Sequence, residues 1–256
     1  MSGSSLSIAI ITLNEEDRLP ACLNSLGFAQ EIVVVDSGSQ DQTVRIAKEH
    51  FARVFHREWS GFGPQKQFAI DLCRNDWVLI LDADEQVPAA TAAEILRTIA
   101  QTQGPVAYSL ARKNYVCGQW VRHGGWWPDR TIRLFRKERA TMSERLVHEA
   151  LEVTGSVGHL ENPLIHYPFR NLSEMMIKMD RYSTAGAKEM AKAGREGSFP
   201  KAFVRAGWAF FFNYLIRCGF LDRGPGLLLA LSDAVNVFFK YGKLAEITKQ
   251  SQRACR

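Results

Sequence analysis

Three acids crowd the stretch Leu81-Asp82-Ala83-Asp84-Glu85, directly after the apolar run Trp77-Val78-Leu79-Ile80-Leu81. Like charges this close repel one another, so the arrangement calls for a cation. Residues i and i+2 of an extended segment face the same side, so Asp82 and Asp84 can present their carboxylates together while Ala83 points away. Such a pair suits a divalent metal. Mg²⁺ and Mn²⁺ prefer oxygen ligands, and Mg²⁺ commonly takes only one or two protein carboxylates plus substrate phosphate oxygens. The cation would then bridge the chain to a diphosphate. Asp-x-Asp triplets are common in loops, and it is the position after a buried strand that gives this one weight.

Two more strand ends are polar. Ser7 to Leu13 is a continuous, β-branched apolar run that stops at Asn14-Glu15, and Glu31 to Asp36 stops at Asp36-Ser37. Runs of this kind read as strands buried on both faces. Between them Leu19, Cys22, Leu23 and Leu26 recur at the spacing of one helix face, with Gly27 as a stop. A second amphipathic stretch carries Val44, Ala47 and Phe51. A short strand at Val54-Phe55, a loop with Gly61, Gly63 and Pro64, and a helix through Phe68 and Leu72 lead to Trp77. Strands alternating with helices predict an α/β fold with a mostly parallel sheet flanked by helices. Ligands of such sheets gather at the carboxyl ends of the strands. Each polar end alone also reads as a turn former or helix cap; the coincidence of three points to a single site.

Some chemistries are disfavoured. No Gly-x-Gly-x-x-Gly follows the first strand and no phosphate loop ends in Gly-Lys-Ser/Thr, which argues against a dinucleotide dehydrogenase or an ATPase. The formal net charge of +5 over 256 residues permits anionic partners without choosing among them. Cys22, Cys73, Cys117, Cys218 and Cys255 are odd in number and scattered, which speaks for a reducing cytoplasm rather than a disulfide framework or a cysteine zinc site. Met-Ser-Gly-Ser-Ser lacks the pattern of a signal peptide, and no export is expected.

These motifs resemble the inverting family-2 glycosyltransferases with the GT-A nucleotide-sugar fold. The matching pieces are Thr12-Leu13-Asn14-Glu15-Glu16, Val35-Asp36-Ser37-Gly38-Ser39, Gln65-Lys66-Gln67-Phe68-Ala69 and Leu81-Asp82-Ala83-Asp84-Glu85, in that order. Within the family the chain is most similar to bacterial lipopolysaccharide-core β-1,4-glucosyltransferases, through Arg133-Leu134-Phe135-Arg136, Val147-His148-Glu149, Ile165-His166-Tyr167 and Gly219-Phe220-Leu221-Asp222. The resemblance implies that Thr12, Asn14 and Glu15 lie near ribose and base, with Asp36 on the base and Ser37 beside it. It puts Lys66 near the nucleotide or its phosphates, Asp82 near ribose or metal, and Asp84 as the principal metal ligand with His166 completing the set. The cofactor it implies is Mg²⁺ or Mn²⁺, and the donor a nucleotide sugar, UDP-glucose first.

Inversion needs one displacement and one general base. Glu149, in a segment that resembles the family's acceptor-side acid motif, is the candidate; Asp129 is the rival. Between Cys117 and Arg139 aromatic and basic side chains are dense, including Trp126, Trp127, Arg130 and Arg133. Tryptophan faces suit sugar rings and guanidinium forks suit phosphate or carboxylate, so Trp126, Trp127, Asp129 and Arg133 are assigned to an anionic sugar acceptor. Such mixtures also bind single-stranded nucleic acid or simply pack; with the family motifs alongside, nucleic acid is not expected as a partner.

The catalytic domain is expected over residues 1–170 and a helical region over 171–256. From Asn171 onward Met175, Met179, Tyr182, Gly186 and Met190 suggest one core-facing stripe. Phe203 to Phe220 and Leu227 to Phe239 are strongly apolar but broken by charges, too short to cross a bilayer. Two readings stand: an in-plane helix on an anionic membrane surface, or a helix pair packed on the domain or at an oligomer interface. The combined expectation is a metal-dependent glycosyltransferase, cytoplasmic and peripheral on the inner membrane face, acting on an anionic glycolipid. A polyprenyl-phosphate sugar transferase and a catalytically silent carbohydrate- or membrane-binding module are the alternatives.

Overall fold

The computed structural model describes residues 5–143 and 151–254. Strand β1 (Leu6–Thr12) is buried along its whole length, as its β-branched run requires. It lies between β2 (Glu31–Asp36) and β4 (Trp77–Asp82), both parallel to it, and β3 (Arg53–His56) adds parallel to β2. Register sets the three polar ends level: Thr12 is opposite Asp36, and Ile11 is opposite Asp82.

Strand alternation sends neighbouring residues to opposite faces. On one face Ile8 and Ile10 join Leu19, Cys22 and Leu23 of α1 (Leu19–Asn24) and Ile95 and Ile99 of α4 (Ala89–Ile99). On the other, Ala9 and Ile11 join Ala69 and Ile70 of α3 (Phe62–Leu72). Helix α2 (Thr43–Glu49) ends earlier than its pattern suggests. Phe51, expected on its buried face, follows the helix at φ 58° and is 95% exposed.

The α/β class is as expected; β3-β2-β1-β4 run parallel, and the short strand Val157–His159 lies parallel to Ala107–Ser109 farther along the sheet. Beyond β4 the sheet continues with β8 (Asp129–Arg136), antiparallel to β4, and β6 (Ala107–Val116), antiparallel to β8. Antiparallel neighbours need no crossover helix, and the short connection from Val116 to Asp129 serves. Strand β12 (Leu164–His166) pairs with the two-residue β5 (Glu85–Gln86), which sets His166 opposite Glu85.

Two compact units emerge. The first comprises Met1–Lys113 and Asp129–His166, the second Asn114–Pro128 and Tyr167–Arg256. The short segment 114–128 therefore groups with the carboxyl-terminal helices. In the second unit, α5 (Leu172–Lys192) starts at Asn171, whose side chain caps the Glu174 N–H. Helix α6 (Phe199–Phe211) starts at Ser198, which caps Lys201, and runs into a π-helical turn at Phe212–Ile216. Helix α7 (Arg223–Ala254) returns along α6, with Phe203 edge-on to Phe238 at 4.9 Å.

The expected stripe on α5 holds in part. Met175 is buried, but the residues beneath it are Ser183 and Ala187, and Tyr182 is 56% exposed. Met175 clusters with Leu229 of α7, Met179 Sδ lies 3.9 Å from Ser232 Oγ and Lys240 crosses Gly186, so Met175, Met179 and Gly186 do face α7 and Tyr182 is the member turned out. Asp222, 4% exposed, anchors the 114–128 segment by accepting the N–H groups of Arg122 and His123. Among the described residues no helix is long and apolar enough to cross a membrane.

Candidate active site

The level ends of β1 and β2 are bound together by one carboxylate. Asp36, 3% exposed, accepts at Oδ1 from the Thr12 hydroxyl (3.1 Å) and the Ser39 hydroxyl (2.5 Å), and at Oδ2 from the N–H groups of Gly38 and Ser39 (both 2.9 Å). This Asx-type turn needs Gly38 at φ 97°, a conformation that side chains other than hydrogen disfavour. The Asn14 N–H donates back to Ser39 Oγ, and Asn14 Oδ1 accepts from Gln40 N, each at 2.8 Å. Glu15 N donates to Thr43 Oγ1, and Ser37 Oγ accepts from Gln65 Nε2. The two loops after β1 and β2 thus form one polar rim built from Thr12, Asn14, Glu15, Asp36 and Ser37.

The acids after β4 are countered by protein cations. Arg133 of β8 reaches Asp82 Oδ2 at 2.7 Å and Glu85 Oε1 at 2.6 Å, and Lys66 of α3 reaches Asp82 Oδ1 at 2.9 Å. Arg112 of β6 links Glu85 (3.4 Å) to Asp129 (2.7 Å). A chain of alternating charge therefore runs Lys66, Asp82, Arg133, Glu85, Arg112, Asp129. Burial pushes the Asp82 carboxyl up, but Arg133 and Lys66 outweigh it and hold it well below the usual carboxylate range. Burial likewise works against the Arg133 charge, and Asp82 and Glu85 overrule it, so the guanidinium stays protonated. Cys22 beneath them is kept a neutral thiol by burial and by Glu85, Asp84, Asp82 and Glu15.

Asp84 faces elsewhere. The backbone turns at Ala83–Asp84 instead of continuing extended, so Asp82 and Asp84 engage different partners. Asp84 Oδ1 lies 3.5 Å from His166 Nε2, and Oδ2 lies 3.7 Å from Arg18 Nη1. Arg18 is itself held by a two-pronged pair with Glu15, 2.8 Å at each prong. The Asp84 and His166 side chains are 11% and 12% exposed. A carboxylate oxygen and an imidazole nitrogen this close fit a divalent cation that draws its remaining ligands from a diphosphate and water. Both oxygens of Asp82 are already taken by protein cations. Among the described residues no three His, Cys, Asp or Glu side chains form a metal-binding group, so the donor set that fits is the pair Asp84 and His166.

The first unit holds Thr12, Asn14, Glu15, Asp36, Ser37, Lys66, Asp82, Asp84, Asp129, Arg133 and His166. Arg133, expected on the acceptor side, is 4% exposed and committed to Asp82 and Glu85. Trp126 and Trp127 belong to the second unit, where Trp126 packs against Phe169 (6.4 Å) and Trp127 against Trp120 (5.3 Å). Glu149 lies outside the described residues. Arg18 and Arg112 had no assignment from the sequence, and Glu85 entered only as the third acid of its cluster, without a role. Glu85 carried a signal, since a third acid beside two others needs cations of its own; Arg112 in a mid-strand position carried none.

The glycosyl transferase family 2 model matches residues 7–152. The lipopolysaccharide core biosynthesis glycosyltransferase LpsC of Rhizobium meliloti is 32% identical across 93% of this chain and 91% of its own length. An uncharacterized glycosyltransferase of Rickettsia typhi is 29% identical across 96% of this chain and 89% of its own. Among solved structures, S. aureus TarS aligns with a TM-score of 0.48 at 17% identity, covering 96% of this chain and 92% of that one. The family match spans more than half of the chain, and the LpsC likeness nearly all of it: the protein belongs to glycosyl transferase family 2 and is a glycosyltransferase.

Proposed function

We propose that the protein is a metal-dependent inverting glycosyltransferase that moves glucose from UDP-glucose to the inner core of a lipopolysaccharide at the cytoplasmic face of the inner membrane. The observation that carries the reading is the register that levels Thr12, Asp36 and Asp82 beside the converging Asp84 and His166. A nucleotide diphosphate lying across these strand ends meets a polar rim on one side and the Asp84–His166 pair on the other. The likeness to a lipopolysaccharide core enzyme supports the acceptor class. The resemblance of the motifs supports UDP-glucose.

Asp84 and His166 would hold a divalent cation, which when bound would supply positive charge to the leaving diphosphate. The chain's own residues do the rest. Arg18 steadies Asp84 and Glu15, and Arg133 and Lys66 keep Asp82 ionised and fixed. In the transfer, the acceptor oxygen bonds to the anomeric carbon as the bond to the diphosphate oxygen breaks and its electron pair leaves with UDP. Glu149 takes the hydroxyl proton. Asp129 remains the rival base, with Arg112 on its carboxylate.

The test offers UDP-glucose and a heptose-containing core acceptor with Mn²⁺ and follows UDP release and product linkage. A β-linked glucoside from the α-linked donor is the expected product. Glu149→Gln is expected to lower transfer by roughly 10²–10⁴ while donor binding persists. Such a loss in Asp129→Asn with Glu149→Gln near normal would reassign the base, and an α-linked product would overturn inversion.

A further inference from the structure

Helix α6 turns its large side chains outward. Its buried residue is Ala202, at 0% exposure, whereas Phe203, Val204 and Trp208 are 67%, 73% and 59% exposed. Val204, Trp208, Phe211 and Leu215 recur at i, i+4, i+7 and i+11, which is one helix face, and each is more than 40% exposed. A water-facing helix normally shows the reverse pattern, and a contiguous apolar face of this kind marks an interaction surface.

The charges around it indicate the partner. From Phe199 to Leu221 the sequence holds three cations, Lys201, Arg205 and Arg217, and no acid. Lys201 and Arg205 are exposed on the flank of the apolar face, one turn apart. Aromatic side chains edged by lysine and arginine suit the boundary between acyl chains and anionic headgroups. A second copy of the chain fits less well, because a two-fold contact sets each surface against itself and would bring Lys201 and Arg205 toward their own copies. Crossing the bilayer is not available to any described helix.

We propose that the outward face of α6 is the docking surface for an anionic lipid bilayer, with the helix lying in the membrane plane. The inference deepens the proposed membrane contact and rests on that reading for its purpose, though binding to vesicles requires neither nucleotide nor acceptor. Full-length protein is sedimented with vesicles of phosphatidylcholine alone and of phosphatidylcholine mixed with phosphatidylglycerol. Binding to the mixed vesicles is expected, and it should weaken as salt is raised. Val204→Asp with Trp208→Asp should reduce it about ten-fold or more, as should Lys201→Glu with Arg205→Glu. All four positions are exposed, and circular dichroism checks that the variants fold. Transfer to a water-soluble core oligosaccharide should be unchanged in both, which separates failure of docking from failure of the glycosyltransferase reading. No difference between wild type and the folded variants on mixed vesicles would overturn the proposal. So would light scattering that shows a dimer which Val204→Asp dissolves, because that outcome gives the face to a second copy.

Discussion

Asp82 and Asp84 are two residues apart and engage different partners. Asp82 is held by Arg133 and Lys66, while Asp84 sits with His166 and Arg18. Removing one partner of a buried pair strands the other charge, which costs about 3–5 kcal/mol when burial is complete. The Asp82 side chain is 30% exposed, so Asp82→Asn should destabilise by a smaller amount, about 2–3 kcal/mol, read from urea unfolding at neutral pH. Its folded-state pKa is depressed, so this stabilisation is fully present above the unfolded value near ~4 and is lost as pH falls toward the folded value. The gap between wild type and variant should therefore close in acid. Asp84→Asn should unfold at nearly the wild-type urea concentration yet lose metal-dependent donor binding; equal losses of stability in both variants would merge the two roles.

At the scale of elements, α7 carries a second titrating group. Asp233 accepts from Asn213 Nδ2 at 2.9 Å, and burial pushes its carboxyl up to about 6 against the opposing effects of Asn213 and Arg217. A raised folded pKa means that stability is fully present below the unfolded value and is lost as pH rises through about 6. Asp233→Asn should then stabilise the protein at pH 8 by up to about 3 kcal/mol and have little effect at pH 4, measured by thermal unfolding at both. A pH-independent difference would contradict the assignment. The elements differ in how legible they were. Strands β1, β2 and β4 announce themselves because a strand buried on both faces must be apolar throughout. Strands β5 and β12 and the strands Leu151–Val153 and Val157–His159 are two or three residues long, too short for any period to show. His166 was named through a motif, but its approach to Asp84 depends on the pairing of β12 with β5, a contact across some eighty positions of sequence. Arg133 was assigned to the acceptor from its basic, aromatic stretch, and its burial follows from the antiparallel seat of β8 beside β4.

For the whole molecule, one unit carries the residues proposed for the donor and the other carries the helices with an apolar, cation-edged face. The proposed chemistry and the proposed membrane contact thus fall in separate parts of the chain, and variants in one should spare the function of the other. For the first unit, we propose that the strand ends bind a UDP-sugar through a divalent cation held by Asp84 and His166. Isothermal titration of UDP-glucose into wild type and Asp84→Asn, with and without Mn²⁺, tests it most directly. Binding by wild type that requires Mn²⁺ and disappears in Asp84→Asn is the expected result. Binding of equal strength without the metal, or undiminished in the variant, would contradict it.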